Sequence, residues 1–371
     1  GTGGITFVAS SPGATINAPI VLGGIQTWTV GAGQTLAVHN GSPVNGTISG
    51  NSYALTLAGA GTVTLGGYNT FNGGLTTSST GTLNINNGGI SGASALGAGT
   101  VAIAGGTIDN TSGVPQVIAT TGAQTWSGDF AFTGTNVLSL GTGTVALSAN
   151  RTVTVNGSNL IEPGVISGAF SLTKAGTGTL TLSGANTFSA GMVLNAGTLN
   201  VNSAGAIGAA ASALTIAAGT YLDNTSGAAV TTTSTAAMTW SATTVNFLGS
   251  APLNLAGTLA LAGDRTLNVS SPGVGVANAF TLGGVVSGAN SLIKNGSGTL
   301  VLSAANTFGG AGKTLTLNAG VLAANHATNA VFGAASTTLV INGGALDALV
   351  ASAPANNLAQ TWAGDFNFIG T

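Results

Sequence analysis

Five basic and seven acidic side chains are all the formal charge in this 371-residue sequence, so any acid–base or metal chemistry must come from very few groups. The acids recur by context. Asp129 and Asp365 sit in W-S-G-D-F and W-A-G-D-F, while Asp109, Asp223 and Asp347 each close a short apolar stretch. The run Asp-Asn-Thr-Ser-Gly is identical at 109–113 and 223–227. Arg151 and Arg265 both precede Thr-(Val/Leu), and Lys174 and Lys294 occupy equivalent positions. Glycoside cleavage needs two carboxyl groups flanking one bond, and Ca²⁺ needs several oxygens around one point. The pairs that could meet on neighbouring layers are Asp109 with Asp129 and Asp347 with Asp365. A catalytic pair is needed once, whereas these acids repeat, which fits turn-capping or solvated roles. Glu162, the sole glutamate, stands in a Glu-Pro-Gly turn. The expectation is a non-enzymatic chain with no catalytic, cofactor-binding or metal-binding residue.

The remaining signals for chemistry are weaker. His39 and His326 stand in non-equivalent places, with no second His or Cys nearby to suggest zinc, and read as surface imidazoles. Gly310-Ala-Gly-Lys313-Thr imitates the end of a phosphate loop, but Thr307 stands where its first glycine belongs, and Leu315–Leu317 reads as a strand where a helix is required. The four tryptophans, Trp28, Trp126, Trp240 and Trp362, stand 98, 114 and 122 residues apart. That spacing is too wide for a continuous sugar-stacking ladder and fits core or coil-edge packing. Asn69, Asn186 and Asn306, each in Asn-Thr-Phe, are expected to bond turn backbone.

The elements that position these residues are read from period-two alternation broken by Gly and Asn turns, the pattern of short half-buried strands. Leu180 and Leu182 alternate with Thr179 and Thr181. Met192–Leu194 and 198–201 follow as strands across a turn at 195–197. The segment recurs as G-A-G-T-V-T-L-G-G-Y-N-T-F at 59–71 and G-S-G-T-L-V-L-S-A-A-N-T-F at 296–308. Leu36–Val38, Leu83–Ile85, Val101–Ile103, Leu214–Ile216 and Leu339–Ile341 read as further strands. So do Gly4–Val8 and Ile16–Leu22, on either side of Ser11-Pro12-Gly13. The expected fold is all-β, a right-handed parallel β-solenoid with roughly 115-residue super-repeats, on the order of 20 residues per coil. It is read as one continuous solenoid over 1–371, with modules at 28–125, 126–239 and 240–361 and partial ones at 1–27 and 362–371.

The stretch 172–201 resembles the autotransporter-associated β-strand repeat of bacterial secreted and surface proteins. Lys174, the G-T-G-T-L-T-L run, Asn186-Thr187-Phe188 and Asn195-Ala-Gly-Thr-Leu199 carry the likeness, with Phe188 where the family usually has Tyr. The resemblance implies a β-solenoid passenger exposed outside the cell.

Composition narrows partners. Net charge is −2 and hydrophobic residues make up 44%, so the chain should fold, not remain disordered. Without clustered Lys and Arg it is not expected to bind nucleic acid. No apolar run approaches the length of a membrane span, so it is not expected to be membrane-spanning, and the absence of cysteine suits export through an oxidising compartment. The leading function expected is a structural rod in a surface fibre, filament or passenger stalk. The alternatives are an adhesin whose lateral face binds glycan or a host surface and, less favoured, a polysaccharide-active enzyme. Because both ends stop inside a module without a polar cap, the chain is expected either to continue in a longer polypeptide or to self-associate end-to-end or laterally.

Overall fold

The computed structural model describes residues 4–7, 13–39, 46–270, 278–327, 330–350 and 358–369. No α-helix occurs among them, and the regular elements are parallel strands two to five residues long. The chain divides into two compact units, 1–188 and 189–371, each a β-solenoid.

In the first unit each strand pairs with its counterpart one coil away. Gln124–Trp126 pairs with Val145–Leu147, which pairs with Ile166–Ser167, in a sheet that begins at Thr6–Phe7. A second sheet climbs from Ala14–Ile16 to Leu172–Ala175. The third side carries Ile20–Val21 with Ile48–Ser49, then Gln116–Val117, Leu138–Ser139, Asn159–Glu162 and Thr179–Leu182. In the second unit, one sheet runs from Thr198–Val201 to Ala359–Trp362 and another from Val230–Thr231 to Asn367–Phe368.

Alternation decides the inside of each coil. Along Thr35–Val38, Leu36 and Val38 are buried while Thr35 and Ala37 are not. Stacked coils, about 4.8 Å apart, thus build an apolar column, each fully buried Leu or Val adding roughly 1.5–3 kcal/mol. Corners need left-handed backbone. Gly176 (φ 75°) and Gly296 (φ 80°) make the tight turn after each repeat lysine, where a Cβ would collide with Val155 O and Val269 O of the preceding coil.

Coil length varies with the corner loops, from 20 residues between Leu55 and Leu75 to 29 between Gln26 and Leu55. The super-repeat therefore does not return to the same face. Thr62–Leu65 lies in the sheet of Thr35–Val38, but its sequence counterpart Thr179–Leu182 lies in that of Asn159–Glu162.

The strand expected over Ile16–Leu22 is two strands, Ala14–Ile16 and Ile20–Val21. Pro19 has no N–H to give a ladder and marks the corner between them. Within Gly4–Val8 the strand is Thr6–Phe7. Val8, Ser11, Pro12, Gly370 and Thr371 lie outside the described residues.

Candidate functional site

Asp109, Asp129, Asp223 and Asp264 are bound into the scaffold, whereas Asp347 Oδ1 is buried without a hydrogen-bond partner. Asp109 Oδ1 accepts from the N–H groups of Asn110 (2.8 Å) and Thr135 (3.0 Å), and Oδ2 from Thr135 Oγ1 (2.6 Å). Asp223 repeats this with Asn224 N–H, Ser250 N–H and Ser250 Oγ. The asparagine that follows each is buried and donates from Nδ2 to two carbonyls, Val114 and Val137 for Asn110, Ala228 and Pro252 for Asn224. Ser112 and Ser226 close the turn by donating to the asparagine Oδ1. Asp-Asn-Thr-Ser-Gly is thus a staple between successive coils.

Asp109 and Asp129 do lie on adjacent coils, at opposite ends of one face. Thr107 pairs with Ala131, so the two acids are offset by four positions, about 13 Å at strand rise. That is wider than the separation of a glycosidase pair. Asp347 and Asp365 have the same offset, since Ala345 pairs with Asn367.

Asp129 accepts from Thr152 N–H (2.9 Å) and stands 3.7 Å from Arg151 Nη1. Arg151 Nε and Arg265 Nη2 donate to the carbonyls of Trp126 and Trp240 respectively. Asp264, which sequence reasoning did not single out, accepts from Ser291 N–H (2.7 Å) and from Lys313 Nζ (3.2 Å). These bonds, the Ser291 amide first, hold its carboxyl below the ordinary range. The available signal was the match of A-G-D-R-T at 262–266 to S-A-N-R-T at 148–152: Asn150 Oδ1 accepts from Ser171 N–H in the same way.

The repeat lysines are fully buried. Lys294 Nζ donates to the carbonyls of Asn295 (2.9 Å), Gly296 (2.7 Å) and Ala319 (3.0 Å). Lys174 Nζ donates to Ala175 O (2.8 Å) and Gly176 O (2.7 Å). Burial pushes the Lys174 ammonium down to about 8 and the Lys294 ammonium to about 7. The carbonyl oxygens pull the other way, because they bond the charged form.

The Asn-Thr-Phe asparagines reach beyond their own turn. Asn306 Oδ1 accepts from Val286 N–H on the preceding coil (2.8 Å), and its Nδ2 donates to Val331 O on the next (2.7 Å). Asn69 does the same between Ile48 N–H and Ala95 O. Asn186 Oδ1 accepts from Ile166 N–H (2.8 Å). The phenylalanines two positions on, Phe71, Phe188 and Phe308, are wholly buried.

Trp28, Trp126 and Trp240 are core residues, while Trp362 is 67% exposed. Trp126 Nε1 donates to Gln124 Oε1 (3.4 Å), and Trp362 Nε1 to Gln360 Oε1 (2.9 Å). Met238 replaces that glutamine before Trp240, whose indole nitrogen is buried without a partner. Met238→Gln should supply the acceptor and raise stability by about 1 kcal/mol, read as a higher urea midpoint. Met238→Leu should leave the midpoint near that of the parent.

The outward faces carry few charges, among them the exposed carboxylates of Asp129 and Asp264, and they present amides and hydroxyls alongside scattered apolar side chains such as Val21, Ile25 and Val117. In the second unit Asn246, Asn268, Asn295, Asn318 and Asn342 stand in register on successive coils, and neighbouring amides bond at 2.6–2.9 Å where Asn268 meets Asn246, Asn318 meets Asn295 and Asn342 meets Asn318. Tyr53 and Tyr221 are exposed, one in each unit. His39 and His326 are half-buried. A strand, Thr314–Leu317, follows Lys313. Among the described residues no group of three potential metal ligands converges, and no helix is long and apolar enough to cross a membrane.

The chain carries the passenger-associated transport repeat twice, at residues 172–201 and 292–324. It is 39% identical over 117 residues to a protein of Brucella suis biovar 1 (strain 1330) named adhesin BmaC autotransporter. The alignment covers 31% of this chain and 3% of that protein, so this chain spans only a small part of its relative's length. No solved structure matches.

Proposed function

We propose that this chain is a non-enzymatic passenger segment of a secreted or surface-exposed protein, its solenoid serving as a stalk or filament element. The observation that carries the reading is the pair of passenger repeats, each built into the coil stack by a buried lysine and a buried asparagine. The chemistry of the site is consistent with it. Asp109, Asp129, Asp223 and Asp264 all hold backbone amides, and equivalent repeat strands occupy different sheets, so repetition does not line up one binding site along a face.

The relative named as an adhesin favours a second reading, in which a lateral face binds a glycan or a cell-surface molecule. The Asn ladder and Tyr221 are the surface it would use. Purified chain on a glycan array and on host-cell monolayers separates the two. The stalk reading expects signal no higher than that of a solenoid control. Saturable binding that Tyr221→Ala or Asn268→Ala abolishes would replace it with the adhesin reading.

A further inference from the structure

Glu162 does not behave like the other acids. The alternation of Asn159–Glu162 puts it on the same side as Leu160, so its carboxyl enters the apolar column instead of facing solvent. It is wholly buried. In register, Leu140 continues the strand below it and Leu182 pairs with it from the coil above, both buried. One oxygen, Oε1, accepts from Gly164 N–H at 2.7 Å. The other, Oε2, is buried with no hydrogen-bond partner. A carboxylate placed so would leave a charge unpaired in a leucine environment, at a cost of several kcal/mol.

The charges around it are committed elsewhere. The flanking strands Leu138–Ser139 and Thr179–Leu182 contain no titratable side chain. On the adjoining sheet, Arg151 is spent on Trp126 O, Ser148 Oγ and Asp129. One coil on, Lys174 turns its ammonium to the corner carbonyls of Ala175 and Gly176. Among the described residues the ion pairs are Arg151–Asp129 and Lys313–Asp264; neither reaches Glu162.

We propose that Glu162 is a proton-operated lock in the first unit: carried as an uncharged acid, it lets the coils close around it, and loss of the proton loosens the stack there. Burial pushes the Glu162 carboxyl well above its ordinary 4.5, and the Gly164 amide only partly opposes this. A folded value above the unfolded one makes the contribution fully present below about 4.5 and lost as pH rises through the folded value. The first unit is therefore tighter in acidic surroundings than in alkaline ones.

Because Glu162 is the sole glutamate, full-length chain grown on δ-¹³C-glutamate gives one carboxyl resonance. That resonance should keep its protonated shift as the pH is raised past 4.5, through the range in which exposed glutamates ionise. In parallel, the ratio of unfolded to folded first unit at fixed urea should rise about tenfold for each pH unit that wild type spends between the unfolded and folded values. Glu162→Gln, of the same shape and unable to ionise, should lack that rise. The difference between the two proteins cancels the opposite trend of the buried lysines. A resonance titrating near 4.5, or midpoints that run parallel across pH 4–9, overturns the proposal. Should Glu162→Gln fail to fold, the wild-type resonance alone decides.

Discussion

Replacing Asn306 with alanine should destabilise the second unit by about 2–5 kcal/mol, the largest single effect expected outside the apolar column. The change removes two bonds at once and leaves Val286 N–H and Val331 C=O buried without partners, each orphan costing about 1–3 kcal/mol. It also unties three successive coils, and a solenoid is stable only while neighbouring coils stay docked. Asn306→Asp separates the bond chemistry from lost packing. Its carboxylate still accepts from Val286 N–H but turns a second oxygen toward Val331 O. At pH 7 the aspartate variant should be at least as unstable as the alanine one. Below about pH 4 a protonated carboxyl can donate to Val331 O, so part of the loss should return. Urea unfolding followed by circular dichroism at pH 3.5 and 7 reads both. An alanine variant within 0.5 kcal/mol of wild type, or no acid rescue of the aspartate, would remove Asn306 from the role assigned to it. Asn69→Ala is the corresponding change in the first unit, between Ile48 and Ala95.

Strand positions were legible because period-two alternation is a local property of the backbone. Met192–Leu194 and Thr198–Val201 fall where alternation between Gly and Asn turns puts them. Face assignment was not legible, because it depends on the summed length of every corner loop, and coils run from 20 residues between Leu55 and Leu75 to 29 between Gln26 and Leu55. The asparagines were read as binding their own turns. The structure adds coil-to-coil bonds, since a side chain at a coil edge meets its neighbours along the stack and not along the sequence. Glu162 was read as part of a turn, which it adjoins. Its inward direction was available from the spacing Leu160–Glu162, but a lone acid next to Pro-Gly points to solvent by habit. The lysines were hidden for a related reason: nothing local in Leu-Thr-Lys-Ala-Gly shows that the left-handed corner at Gly176 turns carbonyls inward to meet an ammonium.

Lys294→Met should cost about 3 kcal/mol at pH 7, and the cost should grow as the solution is made alkaline. Methionine keeps the length and apolar stem but leaves the carbonyls of Asn295, Gly296 and Ala319 without the Nζ donor they share. The pH dependence follows from burial. Lys294 is pushed down to about 7 in the folded chain from 10.5. Below about 7 it is charged in both states, and the cost of burying the charge is fully felt. Between 7 and 10.5 the folded chain sheds a proton that the unfolded chain keeps, so stability rises with pH by at most about 1.4 kcal/mol per unit. Above 10.5 the gain is complete. Wild type should therefore pull away from Lys294→Met across pH 7–10.5, with Lys174→Met showing the same trend from about 8 upward. The carbonyl cradle favours the ammonium and will flatten the slope without changing its sign. Urea midpoints at half-unit pH steps measure the divergence. Parallel curves would mean that the carbonyls hold Lys294 charged throughout, and a wild type that loses ground with rising pH would mean that the ammonium itself binds the corner together.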